Sequence, residues 1–424
     1  LLILDVDHFK NVNDTLVHDA GDSVLKHLSG CLSKQTRGSD YIARLGGDEF
    51  AIILPEIKNT SEAGHFAKNL LRKFSEPFFF NKTKFVITAS IGIACEPREN
   101  DTPEDAFKKA DIALYKAKDQ GKNGYQFFTD SLHHENERQM LLENELRHAI
   151  EKNELFLCFQ PQVELNTGKP VGIEVLSRWN NPKLGNIPPD EFIAVSEEIG
   201  FIDELCFWVI ETACKQYDEW AKQKKLPSDH FTLAINFSPV QFKDNKFFTH
   251  VLKIISQHKI PLNNIVFELT ESVFSGQQDQ LEEILHELSK KDISFSIDDF
   301  GTGYSSLSRL SRLPINALKI DKSFVQKVGN NKVNEAIITS TIGLSRSLKL
   351  EVIAEGVETE DQALFLMQNG CIFAQGYLYS KPLNAKEMAA YLETDMKHVE
   401  RKKSNRRSGV GTLRNGPPDR RDDD

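Results

Sequence analysis

Seven short apolar runs between Val171 and Ser380 each end in a side chain that can bind a divalent metal or a phosphate. Together they supply five carboxylates, side-chain amides and one lysine. Hard divalent cations prefer such oxygen ligands, and a lysine beside them suits a phosphate ester. In chain order these residues are Glu174, Asn236, Glu268, Asp298 with Asp299, Lys319, Glu355 and Gln375.

The adjacent acids Asp298 and Asp299 are the most informative of these residues. Two carboxylates in one pocket repel each other unless a cation lies between them. Two bound ions roughly 4 Å apart would satisfy this pair, polarise a phosphoryl oxygen and generate hydroxide from water. Lys319 is suited to orienting that water or to neutralising charge in the transition state. A single acid after a strand is commonly a helix N-cap, but seven polar residues in register favour a site.

The elements that would position these residues are repeated βα units. An apolar run long enough for a buried strand, closed by a polar residue and followed by a helical stretch, is one such unit. When parallel units close into a barrel, the carboxyl ends of their strands converge on one mouth. The spacing therefore predicts an α/β barrel with the metal site at that mouth.

A second set of acids lies in the amino-terminal part, around the segment RLGGDEFAIIL from Arg44 to Leu54. Gly46-Gly47 between two strand-like runs predicts a hairpin, because glycine accepts positive φ and lets a ligand approach the backbone. Asp48 and Glu49 follow the glycines, and Asp5 ends the first strand. Carboxylates on neighbouring strands can hold metals for a nucleoside triphosphate, whereas a plain hairpin is the alternative.

Composition narrows the choice of partner and compartment. The 424 residues predict two or three domains, or one small domain and one barrel. A net charge of −10 argues against a nucleic-acid polymer but not against a small nucleotide, whose charge metal ions offset. Six scattered cysteines without a CxxC pair indicate free thiols in a reducing cytoplasm. No run reaches the length of about 18 apolar residues that a membrane span needs.

Pattern changes divide the chain into predicted regions 1–128, 129–142, 143–395 and 396–424. The first alternates strands with amphipathic helices, and the third holds the barrel units. Between them, Ser131–Lys152 is rich in charged residues and carries apolar residues at helical spacing, which predicts an amphipathic helix. This helix is either a connector or the opening helix of the barrel domain. The last region is highly charged and without apolar periodicity, which predicts disorder. The chain begins without methionine inside an apolar strand, so we expect an amino-terminally truncated protein, with an upstream sensor or membrane anchor left open.

The barrel half resembles the EAL domain, the cyclic di-GMP phosphodiesterase family. The segments that carry the resemblance are Glu174-Val175-Leu176 (EVL for EAL), Gln160-Pro161, Arg178-Trp179, ELTE from Glu268, DDFGTGYSSL from Asp298, LKID from Leu318, AEGVE from Ala354 and QGYLYS from Gln375. The resemblance implies a TIM-like barrel that hydrolyses cyclic di-GMP to linear pGpG with two Mg²⁺ or Mn²⁺ ions.

The resemblance also implies a role for each site residue. Glu174, Asn236, Glu268 and Asp298 would bind one metal, and Asp298 would bridge to a second, also held by Asp299. Glu355 and Gln375 would act through or beside metal-bound water, and Lys319 would hold the attacking water. Gln160, Arg178 and Gln375 would contact substrate. A mobile lid at Asp299–Leu307, including Gly301, Thr302 and Gly303, would be anchored by Glu271; for Glu271, a helix-end acid is the alternative.

The amino-terminal half resembles the GGDEF domain, the diguanylate cyclase family, with its palm-like α+β fold. The resemblance implies metal binding by Asp5 and Asp48 with help from Glu49, at the turn of Gly46 and Gly47. It assigns guanine contacts to Asn13 and Asp22, phosphate contacts to Lys10, Lys118 and Lys122, and an inhibitory cyclic di-GMP site to Arg37 and Asp40 (RGSD).

Two departures weaken the cyclase prediction: the family's segment before the first strand is absent, and Val17 replaces a glycine. We therefore expect a phosphodiesterase whose GGDEF half is regulatory and binds GTP or cyclic di-GMP. The alternatives are a bifunctional or net cyclase and a non-catalytic cyclic di-GMP receptor. A receptor of this kind typically loses a metal ligand or the lysine, and here none is lost. The oligomeric state is left open, a homodimer being one option.

Overall fold

The computed structural model describes residues 1–9, 18–57, 59–80, 83–95, 102–243, 245–274, 279–303 and 307–394. The chain divides into two compact units, Leu1–Leu141 and Leu142–Asp424. Within the described ranges, no helix combines the length and the apolar character that crossing a bilayer requires. The charged segment 396–424, for which the sequence predicts disorder, lies outside the described residues.

The first unit is a five-stranded sheet with helices and one separate hairpin. Strand order is β2-β3-β1-β6-β7, and the central β1 is antiparallel to both β3 and β6. The strands are β1 Leu2–Val6, β2 Tyr41–Gly46, β3 Glu49–Ile53, β4 Phe78–Phe80, β5 Thr83–Phe85, β6 Ala89–Ile93 and β7 Tyr125–Phe127. The helices are α1 His18–Gln35, α2 Thr60–Phe74, α3 Pro103–Asp119 and α4 Asp130–Ala149, which continues into the second unit.

Helix α3 shows how the sequence defines these elements locally. Thr102 accepts a hydrogen bond from the backbone N–H of Asp105, whose carboxylate accepts one in return, and Pro103 occupies the first turn. This capping box satisfies amide groups that a helix start leaves without partners. The helix then packs closely on β6 at Gly92, where a Cβ atom would lie 1.9 Å from the Ala110 carbonyl oxygen. Glycine is therefore required there, and the packing places the end of α3 beside β1.

The second unit is built on nine strands with helices around them. The strands are β8 Leu155–Glu164, β9 Pro170–Asn181, β10 Gly185–Ile187, β11 Thr232–Phe237, β12 Ile265–Thr270, β13 Ser294–Phe300, β14 Ala317–Ile320, β15 Glu351–Ala354 and β16 Phe373–Ala374. The helices are α5 Pro189–Glu198, α6 Ile202–Lys222, α7 Asn245–Ser256, α8 Asp279–Ser289, α9 Leu307–Leu310, α10 Lys322–Val325, α11 Lys332–Leu348, α12 Glu360–Gln368 and α13 at 385–394. Short 3₁₀ turns cover Pro239–Lys243, Leu262–Asn264 and Glu271–Phe274.

Eight of these strands close into a barrel. Strands β9 and β11 to β16 pair in parallel in the order of the chain. Strand β8 pairs antiparallel with both β16 and β9 and closes the ring. The predicted α/β fold class, a palm-like α+β domain followed by a TIM-like barrel, is confirmed.

One local expectation was wrong, because β9 does not end at Glu174. The strand continues to Asn181, since β8 pairs with it along almost its whole length and β10 pairs with its last residues. Glu174 therefore projects from the middle of a long strand. An apolar run shows where a buried face ends, whereas the strand itself ends where its pairing partners end.

The core of the second unit lies between the strands and the surrounding helices. Helix α6 buries a stripe at helical spacing, which includes Ile210, Tyr217 and Trp220. The Trp220 ring packs edge to face on Phe159 of β8, with ring centroids 4.9 Å apart. Apolar packing on the outside of the barrel leaves its inner face for polar side chains, which a rigid scaffold then holds in place.

Candidate active site

Lys319 lies at the centre of a buried cluster of carboxylates. Its side chain is fully buried, and its Nζ lies 2.7 Å from Glu355 Oε1 and 2.8 Å from Glu268 Oε2. The same atom lies 3.3 Å from Asp298 Oδ1 and 3.5 Å from Glu174 Oε2. These residues come from five strands or strand ends, so the closure of the barrel brings them together.

Side-chain amides complete the cluster around Glu174. Asn236 Nδ2 donates to Glu174 Oε1 at 2.9 Å, and Gln375 Nε2 donates to Glu174 Oε2 at 2.5 Å. Gln375 also donates to Gln160 Oε1 at 2.9 Å, and Gln160 in turn donates to the Ser380 carbonyl oxygen. The Oε1 atom of Gln375 is buried and has no hydrogen-bond partner among the described residues, so the site contains an oxygen that could serve as a ligand.

The acids form two groups that share Asp298. Carboxylate oxygens of Glu174, Glu268 and Asp298 lie within 4.8 Å of one another, as do those of Asp298, Asp299 and Glu355. These five carboxylates face the single ammonium of Lys319, so the buried charge is far from balanced. Two divalent cations would balance it, and the donor set of carboxylates and amide oxygens suits Mg²⁺ or Mn²⁺.

The pKa values of most of these acids are raised, because the buried acids have too little positive charge around them. Burial raises the pKa of Glu355 to about 8, which Asp298 and Glu174 reinforce against the opposing effect of Lys319. Burial and the charge of Asp298 likewise raise the pKa of Asp299 to about 6. Burial raises the pKa of Glu268 well above its usual range. Burial would also raise the pKa of Glu174, but Lys319 and the hydrogen bond from Asn236 lower it overall.

We predict that the metal-free protein loses stability as the pH rises from about 5 to 8.5. A carboxyl group with a raised pKa in the folded state stabilises the fold below its ordinary pKa of 4.5. For Glu355 that contribution is lost as the pH rises through about 8. Thermal unfolding in chelator should show the fall in Tm, and Mn²⁺ should raise Tm most at high pH.

Glu355→Gln is the control for this prediction, because the amide cannot titrate. The difference in Tm between pH 5 and pH 8.5 should be smaller in this variant than in the wild type. Equal differences in the two proteins would contradict the pKa that we assign to Glu355.

A cavity of about 1020 Å³ opens over the cluster. Glu174, Asp298, Asp299 and Glu355 line its floor. Residues of α5, α6 and the turn after β11 also line it, and the apolar ones among them are Ile193, Ile202, Leu205, Val209, Pro239 and Val240. A cavity that combines charged groups with apolar side chains suits a ligand with phosphates and flat bases.

Arg178 lies in the wall of the same cavity, four residues beyond Glu174 on β9. Its Nη1 donates to the Ser177 carbonyl oxygen at 2.8 Å, which holds one side of the guanidinium in place. A guanidinium presents five N–H donors in a fixed plane, so it is suited to bidentate contact with a phosphate. The position fits the substrate contact that the sequence predicts for Arg178.

The segment after β13 is held by Glu271. Glu271 Oε2 accepts hydrogen bonds from the backbone N–H groups of Gly301 at 2.9 Å and Gly303 at 3.1 Å. The Thr302 hydroxyl donates to the Asp299 carbonyl oxygen, and Asp299 itself has a φ of 53°, which is uncommon for a residue other than glycine. The contacts agree with the predicted anchor. Mobility of the lid stays a prediction, and residues 304–306 lie outside the described residues.

Glu271→Ala should lower turnover and raise the metal concentration needed for half-maximal rate. The substitution removes the acceptor that Gly301 and Gly303 share, so Asp299 loses the support of the segment that follows it. We expect an effect of roughly 10–100-fold, the usual cost of losing an outer partner of a metal ligand. Rates measured across a Mn²⁺ titration would show it, with Glu271→Gln, which keeps one acceptor oxygen, losing less. Wild-type behaviour at limiting Mn²⁺ would leave Glu271 with a helix-end role only.

Sequence reasoning missed two residues of the site. Asp321 follows β14 directly, as Glu355 follows β15, and its hydrogen bond and charge add to the rise in the pKa of Asp299. Its position at a strand end was the available signal. Gln162 lies two residues beyond Gln160 on β8, on the same face, and its Nε2 lies 3.5 Å from Glu268 Oε1. Alternation along the strand would have identified it.

The first unit gathers several of the residues predicted for the GGDEF site. Asp5 pairs in register with Glu49, and Lys118 Nζ lies 2.8 Å from Asp5 Oδ2. Gly47 has a φ of 53° at the hairpin tip between β2 and β3, so the predicted hairpin is present. Burial and the charge of Asp5 raise the pKa of Asp48, which places the two acids near each other.

The remaining predicted residues of this half are more scattered. Lys122 Nζ lies 3.4 Å from His8 Nε2, Asp22 is exposed on α1, and Lys10, Asn13 and Val17 lie outside the described residues. The Arg37 backbone N–H donates to Asp40 Oδ2 at 2.7 Å, so the RGSD segment forms a turn before β2.

Sequence reasoning also missed Asp7 in the first unit. Asp7 is buried and accepts hydrogen bonds from the Ser90 hydroxyl at 2.7 Å and the Asn123 backbone N–H at 3.0 Å. It therefore joins β1 to β6 and to the turn after α3.

Comparison with known families identifies both halves. The EAL domain family matches residues 143–382, and the diguanylate cyclase, GGDEF domain, family matches residues 1–124. The chain belongs to the EAL domain family. It carries a GGDEF domain before the EAL domain, in agreement with the two folds described above.

Curated relatives are similar to this chain over most of its length. The bifunctional diguanylate cyclase/cyclic di-GMP phosphodiesterase MucR of Pseudomonas aeruginosa is 38% identical over 92% of this chain and 56% of MucR. The cyclic di-GMP phosphodiesterase NbdA of the same species is 35% identical over 92% of this chain and 50% of NbdA. The chain thus spans about half the length of these relatives.

Solved EAL structures resemble the second unit. A structure titled PaMucR phosphodiesterase, c-di-GMP complex, has a TM-score of 0.56 and 36% identity, covering 58% of this chain and 99% of that one. The EAL enzyme Bd1971, in its cAMP and cyclic-di-GMP bound form, has a TM-score of 0.58 and 31% identity, covering 69% of this chain and 77% of that one.

Proposed function

We propose that this chain is a cyclic di-GMP phosphodiesterase that gives linear pGpG by two-metal catalysis. The observation that carries the proposal is the pair of carboxylate groups that share Asp298 beside Lys319, on the floor of the cavity. Relatives described as cyclic di-GMP phosphodiesterases and an EAL structure in complex with cyclic di-GMP support the choice of substrate.

In this proposal the acids and amides of the cluster hold two metal ions. Glu174, Asn236, Glu268 and Asp298 would hold one ion, and Asp298 and Asp299 would hold the other. Glu355 lies close enough to join this second group as a direct ligand, rather than through bound water as the family resemblance implies. The ions, when bound, would polarise a phosphoryl oxygen and lower the pKa of water. The five carboxylates also repel free hydroxide and other anions, so the cluster selects for cations when no substrate is present.

Lys319 would orient the attacking water and neutralise charge that develops on the phosphoryl group. Its ammonium has three N–H donors and lies at the centre of the cluster, within 3.5 Å of four carboxylates. Burial lowers the pKa of Lys319, but Asp298 and the other carboxylates raise it more, so the group stays charged. Water adds across one P–O3′ bond, and the freed 3′-oxygen takes up a proton, which opens the ring to pGpG.

The wall of the cavity would hold the rest of the substrate. Arg178 is placed to contact a phosphate, and Gln160 is fixed between Gln375 and the Ser380 carbonyl at the edge of the metal site. The apolar side chains that line the cavity would cover a guanine base, because ligand pockets bury flat rings mainly against apolar side chains. A cyclic dinucleotide combines both features in one small ligand.

The GGDEF half is regulatory in this proposal and binds GTP or cyclic di-GMP. Support comes from the acids Asp5 and Asp48 beside Lys118 and from the RGSD turn at Arg37 and Asp40. Synthesis of cyclic di-GMP by this half is the alternative, and a receptor without turnover is a third. The complete ligand set of the EAL site favours turnover over the receptor.

One incubation separates these functions. The purified chain is mixed with cyclic di-GMP or with GTP, in Mg²⁺ or Mn²⁺, and the nucleotides are resolved by chromatography. We expect cyclic di-GMP to become pGpG, excess chelator to stop the reaction and GTP to remain largely unchanged. Binding of cyclic di-GMP without its loss would indicate a receptor, and net formation of cyclic di-GMP from GTP would indicate a cyclase.

A further inference from the structure

Gln162 places a primary amide inside the barrel, beside the buried cluster of carboxylates. Its side chain is only 4% exposed, and its Nε2 lies 3.5 Å from Oε1 of Glu268, which is 1% exposed. A buried amide needs a hydrogen-bond partner, because burying one without a partner costs about 1–3 kcal/mol in protein interiors. An apolar residue would fill the same space without that need, so we ask what the amide does for its neighbour Glu268.

The two glutamines of β8 point the same way but have different partners. Gln160 contacts Gln375 and the Ser380 carbonyl oxygen at the mouth. Gln162 pairs in register with Gly172 of β9, one layer deeper than the pair of Gln160 and Glu174. Gln160 lines the cavity, whereas Gln162 does not.

The geometry around Glu268 gives Gln162 a specific task. Glu268 Oε2 lies 2.8 Å from Lys319 Nζ, and Glu268 Oε1 faces Gln162. A carboxylate that binds a metal is ionised and only accepts hydrogen bonds, so the amide nitrogen is the end of Gln162 that suits Glu268 Oε1. Lys319 divides its three donors among four carboxylates, whereas the amide nitrogen of Gln162 lies nearest to Glu268 in the described contacts.

We propose that Gln162 is a positioning residue that fixes the carboxylate plane of Glu268 for metal binding. The inference rests on the proposed metal site but not on turnover. Outer partners of metal ligands hold the ligand in the orientation that the ion needs, and losing one typically weakens metal binding by about 10–100-fold. Gln162 is electrically neutral, so it orients Glu268 without reducing the negative charge that attracts the ion.

Gln162→Met tests the proposal, because methionine is close in shape and cannot donate. Mn²⁺ binding is measured by calorimetry on the whole chain without nucleotide, and hydrolysis is measured across a Mn²⁺ titration. We expect the Kd for Mn²⁺ to rise by roughly 10–100-fold. Hydrolysis should require correspondingly more Mn²⁺, with kcat recovering at saturation. Gln162→Asn, which keeps the amide one methylene too short, should shift the Kd in the same direction and covers the case in which methionine disturbs folding.

Ser296→Ala is the matched control. Ser296 pairs in register with Glu268 on the neighbouring strand and is fully buried, but its hydroxyl makes no hydrogen bond to any residue that the structure describes. Removing that hydroxyl should leave Mn²⁺ binding unchanged. An equal effect in Ser296→Ala and Gln162→Met would show a general response to altered packing and would overturn the proposal.

Unchanged Mn²⁺ affinity in Gln162→Met would also overturn the proposal, whether or not kcat at saturating Mn²⁺ is lowered. Failure of the proposed function gives a different result. In that case the wild type would bind Mn²⁺ without hydrolysing cyclic di-GMP, and the comparison of affinities would still decide the role of Gln162.

Discussion

Asp298→Asn should abolish hydrolysis of cyclic di-GMP. Asp298 is the carboxylate that belongs to both groups of acids, so its replacement weakens two proposed ion sites at once. Asparagine keeps the shape and one oxygen ligand but loses the charge that can bridge two cations. We expect a loss well beyond the roughly 10–100-fold that follows removal of an outer partner of a ligand. Initial rates at saturating Mn²⁺, with product resolved by chromatography, measure it.

The folded structure should survive this change. The side chain of Asp298 is partly accessible at the mouth, and the amide adds no bulk. Asp361→Asn, at an exposed position in the first turn of α12, is the control and should keep wild-type rates. Turnover above a tenth of the wild-type rate in Asp298→Asn would contradict a bridging role.

Lys319→Met should abolish turnover and also destabilise the metal-free fold. The ammonium of Lys319 contacts four carboxylates, which methionine would leave buried without it. Removing one partner of a buried ion pair typically costs roughly 3–5 kcal/mol. Thermal unfolding in chelator at pH 8 should therefore give a clearly lower Tm than the wild type.

Added Mn²⁺ and a change of pH should separate the loss of turnover in Lys319→Met from its loss of stability. Mn²⁺ should restore much of the lost stability, since cations replace the missing charge, but it should not restore turnover. The Tm difference from the wild type should shrink at pH 5, where carboxyl groups with raised pKa values become protonated. Lys225→Met, which breaks a more exposed pair with Glu393, should lose at most about 1 kcal/mol. Wild-type turnover in Lys319→Met would remove the lysine from the mechanism.

The barrel and the membership of its carboxylate cluster could be predicted from the sequence because both follow from repetition. Apolar runs that end in polar residues recur at βα spacing, and parallel strands in a closed barrel must bring those ends together. The structure places Glu174, Asn236, Glu268, Asp298, Asp299, Lys319, Glu355 and Gln375 around one point, as the pattern predicts.

Contacts that depend on pairing partners could not be predicted. The length of β9 is set by β8 and β10, so the apolar run around Glu174 gave no sign that the strand continues to Asn181. Alternation along β8 places Gln162 on the same face as Gln160, but only the three-dimensional neighbours show that Gln162 contacts Glu268 and that Asp7, directly after β1, contacts Ser90 and Asn123. The anchor at Glu271 was expected from the family resemblance, whereas the two backbone N–H donors that it satisfies required the structure.

The GGDEF half was less predictable because its site draws on loops as well as strands. The hairpin at Gly46 and Gly47 and the position of Asp5 followed from local pattern. The pairing of Lys118 with Asp5 depends on how α3 packs across the sheet, and the close approach at Gly92 determines that packing. Domain limits at 128, 142 and 395 stay predictions.

Anomalous scattering from crystals grown with Mn²⁺ tests the central claim most directly. We expect two manganese peaks at the barrel mouth, one among Glu174, Glu268 and Asp298 and the other among Asp298, Asp299 and Glu355. Asp298 should contact both ions, and crystals of Asp298→Asn should lose at least one peak. Crystals without manganese at the mouth, or with a single ion that does not touch Asp298, would contradict the two-metal site.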